Sequence, residues 1–137
     1  VLLFLDECIL NAKQKYFNFS IAYIVIDNEQ AILEEDIKEY IKFIVSIIKK
    51  SIRNTDMIGM LTKTEYIIIF PNCPIQIMNE VLNTIEKKFK FLNLTSNIHN
   101  PFKMEYETLF YNGKKHFNSY QIIDKLKNNL KEKKALK

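Results

Sequence analysis

The chain has 137 residues, enough for one ordinary hydrophobic core and too few for two. Twenty basic residues against sixteen acidic ones leave a net charge of +4 spread along the sequence, a balance that serves solubility more than a nucleic-acid footprint. Gly59 and Gly113 are the only glycines, which excludes phosphate loops of the Walker and dinucleotide types. No stretch approaches the roughly 18 apolar residues of a membrane helix. The apolar opening at residues 1–5 is followed at once by Asp6 and Glu7 without a basic leader, so it is not a signal peptide. Cys8 and Cys73 lack metal-ligand spacing and are expected to be reduced thiols of a cytoplasmic chain. The sequence has no starting Met and begins inside an amphipathic pattern, as a fragment of a longer protein would.

Leu2, Leu5, Ile9, Ala12 and Tyr16 follow a three-four spacing that predicts a helix from residue 1 to about 17. Residues 20–26 are an almost unbroken apolar, β-branched run, a buried strand that delivers Asp27 to its end. Ile37, Ile41, Ile44, Ile48 and Ile52 predict a helix over about 34–52. Two apolar segments, 57–61 and 65–70, flank a polar turn and predict a β-hairpin at the centre of a sheet, and Pro71 ends it. Pro74 suits a first helical turn ahead of Ile77, Val81, Leu82, Ile85 and Phe89. Residues 92–101 are polar and are expected to be loop with a short strand. In 103–111 Met104, Tyr106, Thr108 and Phe110 share one face of a further strand, and Asn112-Gly113 marks a turn. Ser119 is the expected N-cap of a last helix carrying Ile122, Ile123, Leu126 and Leu130, with a lysine-rich end that suits the helix dipole.

This order is a ferredoxin-like βαββαβ antiparallel sheet of α+β class with an extra N-terminal helix, in a single domain over 1–137. Its central hairpin resembles that of the GGDEF domains, the bacterial diguanylate cyclases, of nucleotidyl-cyclase palm type. In that family an Arg-x-x-Asp pair leads into a strand, a Gly-Gly-Asp/Glu-Glu-Phe turn and a second apolar strand. Here the pair is Arg53-x-x-Asp56 and the turn is Thr62-Lys63-Thr64-Glu65-Tyr66. The resemblance covers nearly the whole chain and implies a domain of a longer signalling protein.

It also implies where the family's chemistry would sit. Joining two GTP molecules needs divalent ions held by carboxylates near the triphosphate. Asp27 matches the first metal ligand, but Thr64 stands where the second acid belongs, and Thr62 and Lys63 replace the glycines. The segment after Asp27 that would recognise guanine is shorter than the family's pattern, and the Gly-Asp expected at the helix start falls at Ile37-Lys38. Lys134 matches a phosphate-contacting lysine within a run of lysines. Asp27, Thr64, Glu65 and Lys134 are therefore expected to be a vestigial active site without magnesium or another cofactor, in a catalytically inactive relative.

Arg53 and Asp56 match the motif with which the family grips cyclic di-GMP, where a guanidinium fork and a carboxylate meet phosphate and base. Arg53 is the only arginine, and no second one completes such a site. The pair is expected at the surface, away from Asp27 and Thr64, and its plain reading is a local ion pair at a helix C-terminus. Two functions stay open: a silent domain binding cyclic di-GMP or another guanine nucleotide, or an interaction module that has lost nucleotide binding. The partners implied are that nucleotide, another signalling domain or protein, and a second copy of the chain. Nucleic acid is not expected, because Tyr106 and Phe110 fit a core better than a base-stacking platform.

Overall fold

The computed structural model describes residues 2–14, 18–27, 37–95, 102–114 and 117–135. In chain order the elements are α1 (Leu2–Lys13), β1 (Phe19–Asp27), α2 (Ile37–Lys49), β2 (Met57–Met60), β3 (Glu65–Pro71), α3 (Ile75–Thr95), β4 (Lys103–Tyr111) and α4 (Ser119–Ala135). The strands form one antiparallel sheet in the order β2-β3-β1-β4. The expected α+β, ferredoxin-like arrangement is present, with one correction. The hairpin does not lie wholly at the centre: β3 and β1 do, and β2 is an edge strand. Burial explains this, because β1 and β3 are apolar on both faces and almost fully buried, whereas both ends of the four-residue β2 are exposed.

Strand alternation divides the core into two layers. On one face Phe19, Ile21, Tyr23, Ile67, Ile69 and Tyr111 pack under α1 and α4. On the other Ala22, Ile24, Ile26, Tyr66, Ile68 and Phe70 pack under α2 and α3. A one-residue slip of β1 or β3 would exchange these layers, so packing on both faces fixes the register. Both cysteines are free and buried, and burial, with help from Glu7, pushes the Cys8 thiol up to about 11. Among the described residues no helix is long and apolar enough to cross a membrane.

Several boundaries differ from those the periodicity predicts. α2 stops at Lys49, where Ser51 N donates to Ile48 O at 2.9 Å and the Ser51 hydroxyl to Ile47 O at 3.3 Å, closing the last turn. Residues 34–36 of that predicted helix, and 15–17 of the first, lie outside the described residues. α3 continues to Thr95 in place of the loop expected from residue 92. The reason is Asn93, whose amide donates to Phe102 O at 2.9 Å and accepts from Phe102 N at 2.7 Å. Its side chain imitates a strand neighbour and holds the chain where it enters β4. The N-cap of α4 is Asn118, not Ser119. Asn118 Oδ1 accepts from Gln121 N at 2.8 Å and Gln121 Oε1 from Asn118 N at 2.9 Å, a reciprocal capping box, while Ser119 is buried in the first turn.

Candidate functional site

Asp27, Thr64 and Glu65 lie where β1 ends and β2 turns into β3. Ile26 N donates to Thr64 O at 2.9 Å, which sets the turn beside Asp27. Asp27 is exposed, pairs in register with Lys103 of β4, and its charge adds to the burial that raises the Tyr40 hydroxyl pKa. The turn is closed by its own side chains. Thr62 Oγ1 accepts from Thr64 N at 3.3 Å and Glu65 N at 3.1 Å, and Leu61 N and Thr62 N both donate to Glu65 O. Those amides face inward, so the turn offers little backbone to a phosphate.

Glu65 is engaged on every side. It accepts from the Tyr23 hydroxyl and from Thr62 Oγ1 at 2.9 Å, and Lys127 Nζ of α4 lies 3.7 Å away. The Tyr23 bond chiefly holds its carboxyl below the usual range, against an opposing effect of burial, with Thr62 and Lys127 adding to the lowering. Tyr23 responds in the opposite direction, pushed up by burial and then by Glu65. A group whose folded pKa is depressed stabilises the fold above its unfolded value and ceases to as pH falls through the folded one. The wild type should therefore lose melting temperature below about pH 4, and Glu65→Gln should lose less over that interval. Equal acid slopes in thermal scans of the two proteins would show that the contact does not matter.

Lys134 also has a partner. Its Nζ lies 2.8 Å from Glu105 Oε2, although obliquely and not as an aligned hydrogen bond. Glu65 and Glu105 flank Val25 in one row of the sheet, and Lys127 and Lys134, one heptad apart on α4, reach one glutamate each. A phosphate at Lys134 would have to displace Glu105. A cleft of about 190 Å³ beside it, bounded by Glu86, Glu105, Tyr106, Lys133 and Lys134, includes neither Asp27 nor Thr64 in its lining.

The family resemblance implies a divalent ion at Asp27 and Thr64, and the donor set does not suit one. Asp27 supplies a carboxylate and Thr64 a neutral hydroxyl 3.4 Å from Thr62 Oγ1, while Glu65 is committed to Tyr23 and Lys127. Among the described residues no group of three or more His, Cys, Asp or Glu side chains could hold a metal. The segment after Asp27, where the resemblance implies a shortened guanine-recognition element, falls in 28–36, outside the described residues.

Arg53 and Asp56 stand at the other end of the sheet, as expected. They lie against the Pro71 end of β3, about 20 Å from its Glu65 end at strand rise. The pair is not the loosely held surface contact that the spacing suggests. Arg53 N donates to Asp56 Oδ2 at 2.8 Å, Nε to Oδ1 at 3.0 Å, and Nη2 to Oδ1 at 2.7 Å and to Pro71 O at 2.8 Å. The Asp56 side chain is 0% exposed and that of Arg53 40%. Hydrogen bonding to Asp56 raises the guanidinium pKa further. The motif thus ties the α2–β2 loop to the end of β3 and leaves Nη1 without a partner among the described residues.

Sequence reasoning missed Tyr23 and Lys127. Tyr23 sits in an apolar run and Lys127 among many lysines, so neither carries a local signal that it will meet Glu65.

Neither a protein-family model nor a curated protein matches the sequence. Solved structures do match it. The GGDEF domain of DgcB from Caulobacter crescentus, in complex with cyclic di-GMP, superposes at TM-score 0.71 with 14% identity over 96% of this chain and 80% of that one. The active GGEEF domain of a diguanylate cyclase from Vibrio cholerae gives 0.69 and 18% over 98% and 87%. Diguanylate cyclase SiaD from Pseudomonas aeruginosa, in complex with its activator SiaC, gives 0.78 and 13% over 98% of this chain and 53% of that one. The chain has the fold of the GGDEF domains of diguanylate cyclases.

Proposed function

We propose that the chain is a catalytically silent GGDEF-fold domain of cyclic di-GMP signalling that binds this nucleotide through the Arg53-x-x-Asp56 motif, with the open Nη1 edge of Arg53 meeting the ligand and the buried Asp56 carboxylate holding the guanidinium in place. The silence is supported by one observation: Glu65, the only acid of the turn, is held by Tyr23, Thr62 and Lys127, while the residue that the family resemblance aligns with the second metal ligand is Thr64. Without two carboxylates the charge that develops during phosphoryl transfer has no counter-ion to offset it. GTP with Mg²⁺ or Mn²⁺ should yield no cyclic di-GMP above a blank, and turnover abolished by Asp27→Ala would overturn the proposal. The binding half draws support from the Arg53 fork, already held in place, and from the DgcB domain of the same fold, which is solved with the nucleotide. Calorimetric titration with cyclic di-GMP tests it.

A second reading has its own support. Leu3 and Leu10, one heptad apart on α1, are 82% and 57% exposed. SiaD, of the same fold, is solved with a protein activator. In this reading Arg53 and Asp56 are a structural clamp, and the chain pairs with a second copy or a signalling partner through α1. Absence of heat with cyclic di-GMP, together with a concentration-dependent dimer in sedimentation that Leu10→Glu dissolves, would favour it.

A further inference from the structure

Asn112-Gly113, directly after β4, is the only asparagine–glycine pair of the chain, since the other glycine, Gly59, follows Ile58. Asn112 is exposed, so water reaches its side-chain amide. Asn112 Oδ1 accepts from Lys114 N at 3.1 Å. This bond spans Gly113 and turns the side-chain carbonyl toward the peptide that follows it, as an Asx turn does. Glycine has no Cβ to screen its own nitrogen from that carbonyl. The Lys114 N–H also stabilises negative charge developing on Oδ1 when Cγ is attacked, in the manner of an oxyanion-hole donor. A nucleophile carried on the same chain needs no encounter with a second molecule.

Asn118-Ser119 is the contrasting pair. Ser119 is buried in the first turn of α4, and Asn118 is held by its reciprocal bonds with Gln121. The rotation that would bring Ser119 N onto Asn118 Cγ breaks that capping box.

We infer that Asn112 is a site of spontaneous deamidation in the folded chain, with the Gly113 backbone nitrogen as nucleophile and water as the only co-reactant. Gly113 N bonds to Asn112 Cγ, the Cγ–Nδ2 bond breaks, and Nδ2 leaves as ammonia with the proton of the Gly113 amide. Water then opens the resulting succinimide. Cleavage at Cγ leaves aspartate, and cleavage at the main-chain carbonyl leaves isoaspartate, whose backbone is longer by one methylene. Nothing is oxidised or reduced, and the net charge falls from +4 to +3.

The position gives the isoaspartyl product a structural effect. A Cβ on Gly113 would lie 2.0 Å from the carbonyl oxygen of Ala12, so the turn after β4 is pressed against the end of α1 without room for added backbone. Isoaspartate should therefore loosen α1 from the layer it shares with α4. Aspartate should not, because its carboxylate accepts from Lys114 N as the amide does. Asn112 lies outside Arg53, Asp56 and the exposed stripe of α1, and the inference stands whether or not cyclic di-GMP binds.

The test is to incubate the folded chain for weeks in neutral buffer made with heavy-oxygen water and to map the label by mass spectrometry of its peptides. The label should appear first at Asn112, in both aspartyl and isoaspartyl peptides, with Asn118 unchanged. In denaturant Asn118 should react as well. Asn112→Gln, which must close a larger ring, should remove the early label while circular dichroism shows it folded. The aged chain should show a component melting several degrees below fresh protein. Aged Asn112→Gln and fresh Asn112→Asp should lack that component. An unlabelled Asn112 after other asparagines have reacted, or equal labelling of Asn112 and Asn118 in the folded chain, would overturn the inference. So would unchanged melting of chains that carry isoaspartate.

Discussion

Gly113→Ala is expected to lower folding stability by about 2–5 kcal/mol, the sum of a left-handed backbone penalty and a steric overlap. Gly113 follows β4 with φ of +87°, a conformation that L side chains rarely adopt. A Cβ placed there would lie 2.0 Å from the carbonyl oxygen of Ala12, 2.4 Å from its carbonyl carbon and 2.8 Å from Lys13 N. All three are backbone atoms at the end of α1, so no side-chain rotation relieves the overlap. Either the turn after β4 or the C-terminus of α1 must move. Because α1 closes the core layer it shares with α4, such a shift would loosen Leu5, Ile9 and Ala12 together. Against a total of about 5–15 kcal/mol for a domain of ordinary stability, the melting temperature should fall by roughly 10 °C. Ala12→Gly should not rescue it, since the obstacle is the Ala12 carbonyl and not its methyl group. A melting point within a degree or two of wild type would refute the close approach.

What could be read from the sequence, and what could not, follows from the range of each interaction. β1 and β3 were legible because an uninterrupted apolar run permits little except a strand covered on both faces. The position of β2 at the edge was not, since strand order depends on pairings far apart in the chain, such as Tyr23 with Ile67 and with Glu107. The cap of α4 is legible in the sequence: Asn118 with Gln121 three residues on is a capping box, and Ser119 between them is an equally eligible N-cap by residue type. The continuation of α3 was hidden in Asn93, whose partner Phe102 lies beyond the predicted loop. At the candidate site, the juxtaposition of Asp27 with Thr64 came from the resemblance and agrees with the Ile26–Thr64 hydrogen bond. The capture of Glu65 did not, because Tyr23 is 42 residues away and Lys127 is on the last helix.

Arg53→Ala is expected to act twice, on stability and on nucleotide affinity, and the two effects separate. Removing the guanidinium leaves the carboxylate of Asp56, 0% exposed, with the Arg53 backbone N–H as its remaining partner from the pair. Breaking a fully buried ion pair costs about 3–5 kcal/mol and breaking an exposed one about 0–1. With Arg53 itself 40% exposed, an intermediate loss of about 1–3 kcal/mol follows. That exceeds the near-zero effect expected of a surface pair, and denaturant unfolding measures it directly. Affinity should fall about tenfold to a hundredfold, because each charge-assisted hydrogen bond from the fork contributes about 1.5–3 kcal/mol. Arg53→Lys distinguishes the causes: it keeps a cation near Asp56, and so much of the stability, but lacks the planar fork that phosphate or guanine would meet. In calorimetry below the unfolding transition, a stable Arg53→Lys protein that has lost cyclic di-GMP would support recognition through the fork. If Arg53→Ala binds the nucleotide as tightly as wild type while still being destabilised, Arg53 and Asp56 are a clamp between the α2–β2 loop and β3, and the interaction-module reading prevails.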